Sequence, residues 1–366
     1  MALPARRIFN ALTHAYGRIG RLASNGAAPP PLFVNCVVTF DCNMACPFCF
    51  ARTGRSQLRG SPLAAAQWAQ IIRQIPAYAL LGFSGGEAFC HPQFRDIFAA
   101  AGERHRFVLV SNGRAIDETV AAELAALGAE SLRRKGLVQV GISINEPLAD
   151  EQACRAALAE KLHVFGRLAR HRLSRGRRFP RLEMKVVIRD ETAPHLAVFA
   201  GALESPDVDA VTFQMLSNQR FAYYLGTDPA DRPAVDALRD YRNTPPEPLA
   251  FAALDGLRES FARLASLPKA ARRRINFLPD LPPEKYVAYY EGRMNLADFR
   301  CGNPWVHLLI DPAGVARQCF NPDGADLTAT PLRAAWNAPS FREFRRDLRA
   351  RGSFPCCAGC CFLTPK

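Results

Sequence analysis

Two kinds of segment are missing from this 366-residue chain: a run of about 18 apolar residues that could span a bilayer, and an N-terminal secretory signal. Without an export signal, its 12 cysteines are a poor disulfide framework and point instead to a reducing cytoplasm and metal ligation. Acidic residues are short as well, 34 against 47 Lys and Arg, for a formal charge of +13. Such a balance suggests an acidic partner: an acidic peptide, a phosphorylated substrate or anionic lipid. The plainer explanation is a set of solvated arginines.

What the chain does have is a cysteine pattern. Cys42, Cys46 and Cys49 lie in CNMACPFC, directly after the apolar run FVNCVVTF. Three thiolates on one loop can wrap one face of a cubane iron-sulfur cluster, which needs four ligands, leaving one iron open to a reacting molecule. A structural zinc site is the alternative, but zinc wants four ligands, and no His or fourth Cys lies near enough in sequence to complete the set. Further along stands FSGGEAF, with Gly85, Gly86 and Glu87. Glycines allow close backbone approach to a small cation, and the carboxylate adds charge-assisted bonding.

Strand-like runs then alternate with helical periodicity, as a parallel sheet requires. Strands are expected over 33–40, 78–86, 106–113, 137–144, 182–188 and 210–216. Helices are expected from Ser61 as N-cap with Pro62 at the first helical position, then from about residue 92, over 117–134, 148–173 and 193–204. The motifs fall at the C-terminal ends of these strands, where a parallel barrel puts its functional residues.

In the cysteine spacing, the aromatic Phe48 and the GGE motif, the chain resembles the radical S-adenosylmethionine (SAM) superfamily. That resemblance implies a fold, α/β with a partial (β/α)6 barrel over residues 31–225, and a 4Fe-4S cluster whose open iron is chelated by SAM. It implies that Gly85, Gly86 and Glu87 hold the methionine ammonium. Ser143 is a candidate for the SAM ribose or carboxylate; the family's Ser-x-Asp is replaced here by Ser143 and Asn145. Asn112 resembles a family turn, though an Asn-Gly turn needs no ligand to explain it. Lys185 and Gln214 are polar residues in apolar strands, and either faces the lumen, toward SAM or substrate, or snorkels from the helix side.

Near the chain end, DPAG joins WVHLLI to VARQCF, a hairpin expected to bring Cys301 and Cys319 together. A helix beginning at Ser340, with Glu343 in a capping box and an end near Gly352, leads to CCAGCC. The arrangement resembles the twitch domain, a shorter relative of SPASM, which carries an auxiliary 4Fe-4S cluster; its ligands here would be Cys301, Cys319, Cys357 and Cys360. Cys356 or Cys361 could substitute, and zinc could occupy the same four-Cys site. Buried thiols are the default for Cys36, Cys90 and Cys154.

The expected organisation is a basic amphipathic segment over 1–30, the barrel, a helical or irregular connector over 226–295, and a small hairpin-plus-helix iron-sulfur domain over 296–366. The first segment, with Ile8, Leu12, Tyr16 and Ile19 on one face and Arg6, Arg7, Arg18 and Arg21 around it, either packs on the barrel or contacts a membrane peripherally. The barrel begins too early to leave room for a preceding leader-binding domain, which counts against a ribosomal-peptide maturase. The expected function is a radical SAM oxidoreductase that abstracts hydrogen from a small molecule, lipid or peptide, reduced by a flavodoxin or ferredoxin. A redox-neutral radical SAM epimerase, or a peptide maturase that forms carbon-carbon or carbon-sulfur bonds, is one alternative. A non-enzymatic iron-sulfur or zinc protein that binds nucleic acid through its basic surface is another, but it leaves the ordered motifs unexplained; the Arg-rich stretch 167–181 either docks an anionic partner or is a solvated helix end.

Overall fold

In the computed structural model, the residues described are 15–17, 19, 20, 22–49, 51, 61–146, 148–216, 230, 231, 233, 235, 236, 243, 244, 249–319 and 321–366. Six parallel strands follow one another in chain order: β1 (Phe33–Val37), β2 (Leu80–Ser84), β3 (Arg106–Ser111), β4 (Gly136–Ile144), β5 (Arg181–Ile188) and β6 (Ala210–Met215). This is the partial barrel that the sequence led us to expect. Helices α1 (Ala65–Gln74), α2 (Phe94–Gly102), α3 (Glu118–Ala126), α4 (Glu151–Ser174) and α5 (Leu196–Ala200) lie between successive strands.

Strand alternation divides the sheet into two unlike faces. Val34, Cys36, Leu81, Phe83, Phe107, Leu109, Val140, Ile142, Leu182, Met184, Val186 and Phe213 are buried in the main core, against Trp68, Ile71 and Ile72 of α1 and the other helices. The alternate residues, among them Asn35, Ser84, Gln139, Ser143, Glu183, Lys185, Thr212 and Gln214, therefore share the inner face. Fully burying each large apolar side chain on the helix side contributes about 1.5–3 kcal/mol, so that face fixes the strand register.

Both edges of the sheet extend beyond what the sequence suggested. At one edge β7 (Ile275–Leu278) adds in parallel to β6, so the connector contributes a strand as well as α6 (Leu254–Ser266), α7 (Lys269–Arg272) and α8 (Pro283–Tyr290). At the other, β9 (His307–Ile310) pairs in parallel with β1, pairing His307 with Phe33. The expected hairpin is present, β9 running antiparallel to β10 (Val315–Arg317), but it continues the barrel sheet through β11 (Ala325–Asp326). Its turn is held by Asp311, whose Oδ1 accepts from the N–H groups of Ala313 and Val315, both at 3.0 Å, with Gly314 at φ 82°.

Three expected helix boundaries shift. Helix α1 starts at Ala65, not at Pro62, because residues 61–64 run extended; Leu63 N–H donates to Pro312 O (2.9 Å), and Ala64 N–H bonds the Gln67 side chain (3.0 Å). Helix α3 ends at Ala126, since residues 127–129 pair with the start of β4, Leu137 N–H donating to Leu127 O at 2.7 Å. Helix α10 (Pro339–Arg351) has Ala338 as its N-cap; Pro339 takes the first helical position, so Ser340 lies inside the first turn and forms no capping box. Its expected end holds, with Gly352 at φ 81°. Helix α9 (Leu332–Trp336) precedes it.

Of the N-terminal segment, Arg6, Arg7, Ile8, Leu12, Arg18 and Arg21 lie outside the described residues. Tyr16 donates its hydroxyl to Pro30 O (2.8 Å), and Gly20 lies against Trp305, so the described part packs on the C-terminal region, although Ile19 is 60% exposed. Among the described residues no helix is long and apolar enough to cross a membrane. The Arg-rich stretch is largely engaged within the fold. Arg167 bonds Ile116 O, Arg170 and His171 bond Glu118, Arg172 bonds Asp209 at 2.7 Å, and Arg177 bonds Gly128 O.

Candidate functional site

The cysteine loop follows β1 and rests on the GGE turn that follows β2. Contact there is backbone to backbone. A Cβ on Gly86 would stand 2.2 Å from Asp41 O and 2.6 Å from Phe40 C, and one on Gly85, at φ 129°, would strike Val37. Gly86 N–H donates to Thr39 O (3.0 Å) and Glu87 N–H to Asp41 O (2.8 Å). The glycines thus serve the seating of the loop, a need that only glycine meets.

Glu87 is buried, 1% exposed. Its Oε2 accepts from Asn112 N–H at 2.8 Å, whereas Oε1 is buried with no partner of hydrogen-bond geometry. Burial raises its pKa. Asn112 N–H, the nearby Ser111 hydroxyl and Phe89 N–H, and Lys161 all favour the ionised form. A buried carboxylate oxygen without a donor is costly, and its chemistry suits an incoming cation.

Asn112 does more than close a turn. Its Nδ2 donates to Asn43 Oδ1 (2.8 Å) and approaches Cys42 Sγ (3.8 Å), tying the end of β3 to the cysteine loop. Its carbonyl accepts from Lys161 Nζ at 3.0 Å; that lysine, fully buried on α4, also bonds Glu146 Oε1 at 2.5 Å. Burial acts to raise the Glu146 pKa, but the Lys161 bond and charge hold it below the usual range. The Ser143 hydroxyl donates to Ser111 O (3.2 Å) and accepts from Asn145 Nδ2 (2.7 Å), while Cys46 Sγ approaches Asn145 O at 3.8 Å.

Cys42, Cys46 and Cys49 are all partly exposed. Burial raises the Cys42 pKa, with added repulsion from Glu87 and Cys49; burial also raises that of Cys46, together with Cys49 and Cys42, against Arg189. The three thiols therefore stand within electrostatic reach of one another. Cys90 proves only partly buried and lies by this loop, its pKa raised by burial, Glu87 and Cys42, while Cys36 and Cys154 are buried as expected.

Arg189, Lys161 and Glu146 were not singled out from the sequence. The Arg189 guanidinium lies 4.4 Å from the Phe48 ring centroid, bonds Glu146 O at 3.3 Å, and has a buried Nε with no partner. Its only sequence signal was a charged residue at the C-terminal end of a barrel strand. Lys185 lies on the inner face as the register partner of Ser143, and bonds Glu183 at 3.0 Å rather than snorkelling outward.

The C-terminal cysteines form a second group. Electrostatic interactions link Cys356 to Cys357, Cys319 and Cys360, and Cys361 to Cys360 and Cys319. A hydrogen bond links Cys361 to Cys360, lowering the Cys360 pKa and raising that of Cys361. Cys319 has φ 49°, a left-handed backbone that non-glycine residues adopt only when their surroundings demand it. Cys301 is buried, and β12 (Thr364–Pro365) pairs with β8 (Phe299–Arg300), returning the chain after Cys361 to the residue before Cys301. Among the described residues, no three His, Cys, Asp or Glu side chains are grouped to hold a single metal ion. The fit to clusters rests on donor chemistry: three thiols on one loop, and Cys301, Cys319, Cys357 and Cys360 with two further thiols beside them.

Residues 36–171 match the Radical SAM superfamily. That stretch is thus similar to a family that uses a 4Fe-4S cluster and SAM. Solved structures with a similar fold include Streptococcus suis SuiB bound to S-adenosylmethionine (TM-score 0.54, 13% identity, 92% of this chain and 73% of that one). SuiB bound to its precursor peptide SuiA gives a TM-score of 0.52 at 14% identity, over 92% and 72% of the two chains. Native anSMEcpe with bound AdoMet gives 0.52 at 12% identity, over 86% and 82%. At these identities the likeness is one of fold.

Proposed function

We propose that this chain is a radical SAM oxidoreductase that abstracts hydrogen from a small-molecule, lipid or peptide substrate. The observation that carries the proposal is the buried, partnerless Glu87 Oε1 beside a three-cysteine loop seated on Gly86. Cys42, Cys46 and Cys49 would hold the first 4Fe-4S cluster, and Cys301, Cys319, Cys357 and Cys360 an auxiliary one. When bound and reduced, the first cluster supplies the electron that cleaves SAM to methionine and a 5′-deoxyadenosyl radical, and the auxiliary cluster offers an acceptor for a net oxidation.

The protein's own part is to bind and orient. Glu87, with the carbonyls of the GGE turn, suits the methionine ammonium. The open Nε of Arg189 suits the SAM carboxylate, and Ser143 stands at the right strand end for a hydroxyl-bearing ribose. Lys161 and Asn112 hold Glu87 and the loop in register, so the cation site is organised before SAM arrives. A peptide substrate draws support from the similarity in fold to SuiB, which is seen bound to a precursor peptide. The basic balance of the chain favours an acidic reductant such as flavodoxin or ferredoxin.

The test is anaerobic reconstitution followed by reduction with dithionite. We expect methionine and 5′-deoxyadenosine from SAM, and about eight iron atoms per chain, four for each cubane. Absence of 5′-deoxyadenosine from protein loaded with iron would refute the assignment. Four iron and one zinc would instead favour the redox-neutral alternative, because the internal electron acceptor would be gone.

A further inference from the structure

We propose that the inner face of the sheet beside Ser143 is a subsite for an anionic group of the substrate, with Lys185 as its donor and Glu183 as the fixed residue that aims it. The proposal rests on the radical SAM reading above and narrows its substrate to one bearing a carboxylate or phosphate near the carbon attacked.

Strand pairing places the residues. Gly141 faces Glu183 and Ser143 faces Lys185 across β4 and β5, and Lys185 faces Thr212 of β6. All lie on the face without helices. Strands covered on both sides are ordinarily near-continuous apolar runs, yet here three neighbours bring two charges, an amide and a hydroxyl together.

The bonding within this group is unequal. Glu183 accepts from Thr212 Oγ1 at one carboxylate oxygen, and from Gln139 Nε2 and Lys185 Nζ, the latter at 3.0 Å, at the other. Both of its oxygens are thus engaged, and it is held as an anchor. The Lys185 ammonium has three donors, and its side chain is 18% exposed against 8% for Glu183. Gly141 makes the posture possible, because a Cβ there would stand 2.5 Å from Lys185 Cε. The lysine stem lies over the glycine and reaches Glu183, which takes one of its three donors.

Position sets the consequence. Ser143, the register partner of Lys185, bonds Ser111 O, next to Asn112 and one bond from Glu87. An anion on Lys185 would sit beside the strand ends that face the cysteine loop. A carboxylate or phosphate there gains charge-assisted hydrogen bonds, whereas an acyl chain would offer no acceptor to the ammonium donors that Glu183 does not take. A lipid presented tail-first is therefore disfavoured.

The test uses the reconstituted, SAM-loaded protein, which has six lysines. Its amines are methylated with isotopically labelled formaldehyde and a borane reductant: each amine condenses with the aldehyde, releasing water, and hydride reduces the iminium. Peptide mass spectrometry then reads the rate at each lysine. With succinate or inorganic phosphate as probe, Lys185 should be protected several-fold while Lys135 and Lys269 are unaffected. Protection by succinate alone or phosphate alone would assign the anion. Glu183→Gln, which removes the competing carboxylate but keeps its shape, should lower the half-protecting probe concentration several-fold.

Equal protection at all lysines, or none at Lys185, would overturn the proposal. Complete protection by SAM, with no further effect of either probe, would also overturn it by giving Lys185 to SAM. Reductive SAM cleavage measured in the same sample reports separately on the radical SAM reading.

Discussion

The two groups of cysteines in this chain are placed by opposite means. Cys42, Cys46 and Cys49 lie on one loop, held from beneath by the GGE turn and from the side by Asn112. The C-terminal thiols are gathered from distant points by a hairpin continuing the barrel sheet, a helix, and a two-strand ladder that closes the chain end on itself. Arg345 of that helix locks the assembly, donating to Pro304 O (2.8 Å), Trp336 O (2.9 Å) and Gly26 O (3.2 Å). A local group survives small distortions of the fold; an assembled one depends on every element that delivers a cysteine.

Independence of the sites is the first thing to break. Replacing Cys42, Cys46 and Cys49 together with Ala should abolish reductive SAM cleavage while about four iron atoms per chain remain. Undiminished 5′-deoxyadenosine formation would sink the assignment of the loop. The converse variant is Gly359→Ala. Gly359 has φ 75°, and a Cβ there would stand 2.2 Å from the Tyr289 hydroxyl oxygen, which itself donates to Leu216 O at 2.7 Å. Iron should fall from about eight to about four atoms, with SAM cleavage kept; retention of all eight would show that the loop adapts.

A smaller effect sharpens the account of the local site. Glu87→Gln removes the charge but keeps the shape, and should weaken SAM binding by about 1.5–3 kcal/mol, the usual range for a charge-assisted bond. Anaerobic calorimetry reads this directly, and unchanged affinity would give Glu87 another role.

The smallest effect concerns the seam between β1 and β9. His307 is buried there, stacked on Phe33 at 5.1 Å, and burial lowers its pKa to about 3 from 6.5. Between those values the unfolded chain binds a proton that the folded chain refuses. Stability is therefore complete above about pH 6.5 and declines as pH falls toward 3, by up to about 1.4 kcal/mol per pH unit from this group. His307→Phe should flatten that slope in urea unfolding measured from pH 7 to pH 5. An unaltered slope would assign the acid sensitivity elsewhere.

Legibility in the sequence followed the range of the interactions. The six strands were readable because each carries its apolar alternation within a few residues, and the three-cysteine loop because its cysteines are local. Boundaries failed where a distant partner intervened: Pro312 pulled residues 61–64 away from α1, and Leu137 drew residues 127–129 away from α3. Cys90 looked like one more buried thiol until the fold set it beside Cys42 and Glu87.

By itself, then, the sequence determined the parallel α/β order, the family resemblance, and which residue types stand at the strand ends. Only the tertiary structure decided that β9 completes the sheet beside β1, that Arg189 covers Phe48, and that Glu183 and Lys185 pair across an inner face opened by Gly141. Those facts depend on strand pairing and on side chains meeting across long separations, and no local period in the chain records which partners will meet.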